Sequence, residues 1–339
     1  MSSLIVVHPS FDGVWPFSAD HFHALWQAQG PVDFIRLPHG DQRTLDQIAP
    51  DPAAVLRLVT LGLSVEAPAL KAFSNLQEAT FQGGYSSPLD EAGKTQLEQA
   101  GVQIYNHTSE GFWGQTVAEF GLALTLCGLR RIPQLHRQII DDLAPWDYNQ
   151  PAGAEQPGLR GQQFGDDDRF TSGTVAGKRV RVVGAGNIAS RYASFCHALG
   201  ADVAAWDPFA PEASFHRAGA RQEWHLDQLV KDAEIFAPFV PLTNSTRGLV
   251  TAAHIDALPK GCLVILLTRA HVCDTDAIRR RVLADELALA GDVWDQEPLP
   301  LDDPLLGRAN VVHTPHNAGR TIDANRAWAE KLAVQFKPC

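Results

Sequence analysis

At 339 residues, with 45% apolar and 20% charged side chains, the chain is long enough for two domains that each bury a core, and its composition is ordinary for a soluble globular protein. A formal charge of −11 argues against nucleic acid or an anionic membrane as a partner. It says little about a small anionic substrate, which a local cluster attracts whatever the global sign.

The start, Ser2-Ser3-Leu4-Ile5-Val6-Val7, lacks a basic region and carries one short apolar run, so it reads as a β-strand rather than a signal peptide. No segment reaches the length of a membrane span. Runs at 4–7, 32–35, 55–61 and 77–81 read as strands, with helical stretches between them. Ser18 reads as the N-cap of a helix that carries Phe22, Leu25 and Trp26 on one face. Strands alternating with helices imply a parallel α/β sheet. The strongly apolar helix 119–130 is expected to be wedged between domains or subunits.

Residues 144–174 break the rhythm with Pro145, Pro151, Pro157, five glycines and the run Asp166-Asp167-Asp168. They are expected to form a long solvated loop whose acids face water rather than a metal. The five cysteines, Cys127, Cys196, Cys262, Cys273 and Cys339, are scattered and odd in number, which predicts reduced thiols in the cytoplasm without disulfide or zinc site. His21 and His23 point in different directions along a helix, and no metal is expected.

From Lys178 the rhythm is regular, with strands expected at 179–183, 202–206, 234–239, 262–267, 287–292 and 310–312. Six strands with crossover helices suit a doubly wound dinucleotide fold. Gly184-Ala185-Gly186-Asn187-Ile188-Ala189 joins an apolar strand to a helix at 188–199. Gly184 permits the tight turn, Gly186 lets backbone approach a pyrophosphate, and Ala189 allows close helix–strand packing. Asn187 and Ile188 open a helix whose free N–H groups attract phosphate. Asp207, 21 residues after Gly186, ends the next strand. A carboxylate there accepts ribose hydroxyls and repels a 2′-phosphate, favouring NAD over NADP; the alternative is a cap on the turn before Pro208.

Ligands of open α/β sheets bind beyond the carboxyl ends of the strands. Arg269, Glu297 and His316 each follow such an end and are expected to converge there. Reducing a 2-oxo acid needs a fork for its carboxylate, which Arg269 offers. It also needs a proton for the carbonyl oxygen, which His316 offers. A carboxylate such as Glu297 favours the protonated imidazole.

In these elements the chain resembles the D-isomer-specific 2-hydroxyacid dehydrogenase family. The likeness runs through Gly184 to Ala189, Trp206-Asp207-Pro208, Pro241-Leu242-Thr243, Thr268-Arg269, Gly291-Asp292-Val293-Trp294, Glu297-Pro298-Leu299 and Thr314-Pro315-His316. It implies an α/β architecture of two doubly wound parallel sheets: a Rossmann cofactor domain at 110–318, and a smaller flavodoxin-like substrate domain at 1–109 completed by 319–339. It implies NAD as cofactor, a small 2-oxo or 2-hydroxy acid as substrate, and a homodimer. Arg269, Glu297 and His316 would be catalytic, with Arg269 also binding substrate. Thr268 and Asp292 would lie beside the nicotinamide carboxamide, with Pro241 and Thr243 along the cofactor. Gln82-Gly83-Gly84-Tyr85 resembles the family's substrate-binding glycine loop, and Thr116 stands at the start of the helix leading into the cofactor domain. The family usually has Asn and Gly where Leu266 and Ala270 stand, and Asp-Asn where Ser86-Ser87 stand.

Phe112 and Trp113, with Tyr85, read either as a pocket for an apolar substrate side chain or as packing residues. The function implied is interconversion of a 2-oxo acid and a D-2-hydroxy acid. The alternatives are oxidation of another small anion, phosphite-type, or an NAD-sensing corepressor-like role. Formate-oxidising relatives usually carry Gln where Glu297 stands.

Overall fold

Near-continuous runs of Val, Leu and Ile suit strands buried on both faces of a parallel sheet. The computed structural model, which describes residues 2–83, 88–109, 111–149, 151–152 and 156–337, builds two such sheets. Contacts divide the chain into Met1–Phe112 with Arg320–Cys339, and Trp113–Gly319.

In the first unit β1 (Ser2–Val7), β2 (Val32–Arg36), β3 (Val55–Leu61), β4 (Glu78–Gln82) and β5 (Gln103–Ile104) form a sheet in the order β2-β1-β3-β4-β5. Every pairing is parallel. This is the flavodoxin-like order. Leu4, Ile5 and Val6 are fully buried, as are Phe22 and Trp26 of helix Ser18–Gln27. Ser18 does not cap that helix: it stands inside the first turn with Phe17 at the cap. Its buried hydroxyl needs a partner and donates to the Asn325 carbonyl at 2.9 Å, tying the helix to helix Ile322–Ala333.

In the second unit β6 (Arg179–Val183), β7 (Asp202–Trp206), β8 (Arg221–Gln222), β9 (Ile235–Pro238), β10 (Leu263–Leu266), β11 (Ala288–Gly291) and β12 (Val311–His313) run in the order β12-β11-β10-β9-β6-β7-β8. The order reverses between β6 and β9, the topological switch point of a doubly wound sheet. The seventh strand, β8, was not expected, and neither was β5. Both are two-residue edge strands, too short to show a period.

Helix Gly114–Arg130 begins five residues before its expected start and packs on the core of its own unit. Val117, Ala118, Leu124 and Leu129 join the core of this unit with Val182 and Ile265. Its glycines permit that: a Cβ on Gly121 would stand 2.8 Å from Leu267, and one on Gly128 2.8 Å from Leu263.

The 144–174 segment contains one short 3-10 turn, Ala144–Trp146, and otherwise irregular backbone among the described residues. Its acid run is taken up by arginines: Asp167 meets Arg169 at 2.8 Å, with Arg130 and Arg160 near Asp166 and Asp168. Cys196, Cys262 and Cys273 are buried and unpaired, and burial pushes the Cys196 thiol up to about 12. No helix of the described residues is long and apolar enough to cross a membrane.

Candidate active site

The turn after β6 has the shape a dinucleotide needs. Gly184 adopts φ 108°, and a Cβ there would stand 2.9 Å from the Phe239 carbonyl oxygen, so only glycine is accommodated. A Cβ on Gly186 would meet nothing within 4 Å. That open space lies over helix Asn187–Ala198, which no side chain caps. Asn187 and Ile188 therefore offer first-turn N–H groups and the positive dipole end outward, while Ala189 is buried against the sheet. The cradle matches a pyrophosphate.

Asp207 does two things at once. One carboxylate oxygen accepts the Ala185 N–H of the glycine turn at 2.9 Å. The other accepts Phe209 and Ala210 N–H groups at 2.9 and 3.1 Å, which is the turn cap weighed as its alternative role. The residue remains partly exposed, and the oxygen that accepts from Ala185 has a second lone pair for a ribose hydroxyl.

Glu297 and His316 meet. Nδ1 of His316 lies 2.7 Å from Oε2 of Glu297, with both side chains about two-fifths exposed. The other oxygen, Oε1, accepts the Trp294 N–H at 2.9 Å. His316 sits at φ 54°, a region a non-glycine residue enters at a cost of about 1–3 kcal/mol.

The loop around His316 is held from β11. The Thr314 N–H donates to the Gly291 carbonyl at 3.0 Å, and the Trp294 indole N–H to the Thr314 carbonyl at 3.1 Å. Asp292, expected beside the nicotinamide, is fully buried. Its carboxylate accepts the Thr314 hydroxyl at 2.6 Å and the Asn317 and Ala318 N–H groups at 3.0 and 2.9 Å. Its visible work is to hold the histidine loop. Trp294 and Thr314 stand in the motifs quoted above, yet nothing in their spacing revealed that they orient Glu297 and His316.

Arg269 follows β10, is exposed, and donates to its own neighbour's carbonyl, that of Thr268, at 2.6 Å. It touches neither Glu297 nor His316. The Thr268 hydroxyl donates to the Val240 carbonyl at 3.0 Å, leading into the exposed Pro241 and Thr243 at the end of β9. Thr116 donates to the Ala318 carbonyl at 3.1 Å, just beyond the histidine loop. Leu266 and Ala270 are buried in an apolar cluster.

In the first unit Gly83 lies just past β4, while Gly84 and Tyr85 lie outside the described residues. Phe112 is a packing residue: it is buried against Trp15 and His107, with ring centroids 5.4 and 4.9 Å away. Trp113 packs on the core of the second unit, over Gly319.

Residues 123–318 match the family described as D-isomer specific 2-hydroxyacid dehydrogenase, NAD binding domain. The chain belongs to the D-isomer-specific 2-hydroxyacid dehydrogenase family. NAD is the cofactor of that domain, and the cradle at Gly184–Ala189 suits it. D-3-phosphoglycerate dehydrogenase of Archaeoglobus fulgidus is 28% identical over 263 residues, 77% of this chain and 44% of that protein. The chain thus spans less than half of that relative's length. Glyoxylate reductase of Korarchaeum cryptofilum is 24% identical over 94% of this chain and 87% of its own. The NAD-complexed D-isomer specific 2-hydroxyacid dehydrogenase of Lactobacillus delbrueckii ssp. bulgaricus shares the fold, with TM-score 0.69, 17% identity, and coverage of 98% and 96% of the two chains.

Proposed function

We propose that the protein is an NAD-dependent oxidoreductase that interconverts a 2-oxo acid and a D-2-hydroxy acid. The observation that carries this reading is the 2.7 Å contact between His316 Nδ1 and Glu297, in the same unit as the dinucleotide turn. With Nδ1 committed to a carboxylate, Nε2 is the nitrogen left to exchange a proton. In reduction His316 gives that proton to the carbonyl oxygen; in oxidation the neutral imidazole takes it from the hydroxyl. NADH supplies the hydride at the carbonyl carbon. Glu297 orients the ring and balances its positive charge. Arg269, exposed and donating to the Thr268 backbone carbonyl, swings its fork onto the substrate carboxylate.

The cofactor-contact roles of Asn187, Ile188, Asp207, Pro241, Thr243, Thr268 and Thr116 belong to this proposal, and the first unit is assigned to substrate binding. A homodimer in the cytoplasm is part of it too. Helix Ile132–Asp141 and the segment after it expose Ile132, Ile139, Ile140, Leu143, Trp146 and Tyr148, an apolar stripe suited to a second copy. Unpaired buried thiols suit a reducing compartment.

The test follows NADH absorbance with purified protein against 2-oxo acids. The panel runs from glyoxylate and hydroxypyruvate to branched, aromatic and phosphorylated side chains, with NADPH in parallel. Consumption with one class supports the reading and sizes the substrate. Silence across the panel with NADH still bound overturns it, in favour of phosphite-type anion oxidation or an NAD-sensing role.

A further inference from the structure

The loop that carries Glu297 borders a shallow pocket lined in part by Leu266, Ala270, Leu289 and Val293, and also by Arg279 and Asp295.

Arg279 stands on helix Thr275–Leu283. Its Nη1 donates to Asp295 Oδ1 at 3.2 Å and its Nη2 to Asp303 Oδ2 at 2.6 Å. Asp303 is nearly buried, at 8% side-chain exposure, and its other oxygen accepts the Leu305 N–H at 2.8 Å. Burial works against the arginine's charge, but the Asp303 bond and the charges of both acids outweigh it and hold the guanidinium above its ordinary value. One planar fork thus grips the loop on both sides of Glu297. Without it, two carboxylates would face each other in a half-buried place, and like charges there drive apart.

We propose that Arg279 is a positioning residue that, by gripping Asp295 and Asp303 on either side of Glu297, holds the Glu297 carboxylate against His316. The proposal rests on the reading of Glu297 and His316 as the proton-transfer pair. A loop shift of about 1 Å at such a pair costs up to about a hundredfold in rate.

The test uses the full chain with 15N-labelled histidine. The proton on His316 Nδ1, held by Glu297, gives a downfield resonance assigned by its loss in His316→Ala. Arg279→Leu is expected to broaden or abolish that resonance and to lower kcat about tenfold or more at saturating NADH, with NADH affinity within about twofold. Arg279→Lys, a point charge that cannot fork, restores part of both. In a Glu297→Gln background Arg279→Leu costs little more, because both act through one carboxylate. A folded Arg279→Leu protein with wild-type resonance and kcat overturns the proposal, as does a loss fully additive with Glu297→Gln. If Arg279→Leu fails to fold, Asp303→Asn weakens the same grip, and an unchanged resonance there overturns it equally. Should no 2-oxo acid be turned over, the functional reading fails while the resonance still decides the grip.

Discussion

Glu297 reaches His316 Nδ1 at 2.7 Å with one oxygen while its other oxygen accepts the Trp294 N–H at 2.9 Å, so the carboxylate is aimed by backbone before any substrate arrives. His316→Ala is therefore expected to cut turnover by about two orders of magnitude or more, with NADH binding nearly intact. Glu297→Gln, which keeps shape but loses charge, is expected to cost about tenfold or more in kcat. Steady-state kinetics alongside NADH fluorescence titration checks both. Near-normal turnover in His316→Ala would remove the histidine from the mechanism.

Asp292 holds the histidine loop with three accepted hydrogen bonds at zero exposure. In Asp292→Asn an amide N–H₂ replaces one acceptor and opposes a backbone N–H, leaving a buried donor unpaired. The expected cost is about 1–3 kcal/mol in urea unfolding, together with a fall in kcat as the loop loosens. Unchanged stability would mean that the loop is held by Trp294 and Gly291 alone.

Asp207 braces the glycine turn and, in the proposed function, also accepts the ribose hydroxyls. Asp207→Ala is expected to weaken NADH about tenfold or more while NADPH, which the carboxylate repels, loses much less. Titration of both nucleotides reads this directly. Equal losses would assign the residue to the turn alone.

His107 is packed between Phe112 and Trp328, its Nε2 buried without a hydrogen-bond partner among the described residues. Burial, with a smaller push from Lys331, lowers its imidazole from 6.5 to about 4. The unfolded chain thus binds that proton more readily than the native one. Stability is undiminished above pH 6.5 and falls as pH drops from 6.5 toward 4, by up to about 3 kcal/mol from this residue. His107→Leu should flatten that part of the stability–pH curve, measured by urea unfolding at stepped pH. An identical slope in both proteins would locate the acid sensitivity elsewhere.

The doubly wound sheets were legible because Val, Leu and Ile runs and the helices between them are local patterns. The glycine turn was legible because it sits between an apolar strand and a helix, and Gly184 meets a backbone demand, φ 108°, that few other residues satisfy. The edge strands β5 and β8 were not, since two residues carry no period and pair only when a neighbouring strand is already present. Ser18 resembles a cap in local sequence, but its partner, Asn325, is 307 residues away.

By itself the sequence determined the family, the parallel architecture and the types of residue at the chemical site, because motif spacing and hydrophobic period are properties of neighbours along the chain. Only the tertiary structure decided what those residues touch. It brought Glu297 to His316, turned Asp292 inward to hold the histidine loop, buried Phe112 in a core, and drew Arg279 across to two aspartates. A hydrogen bond depends on where folding leaves two atoms, and between residues on different strands and loops no local pattern records that.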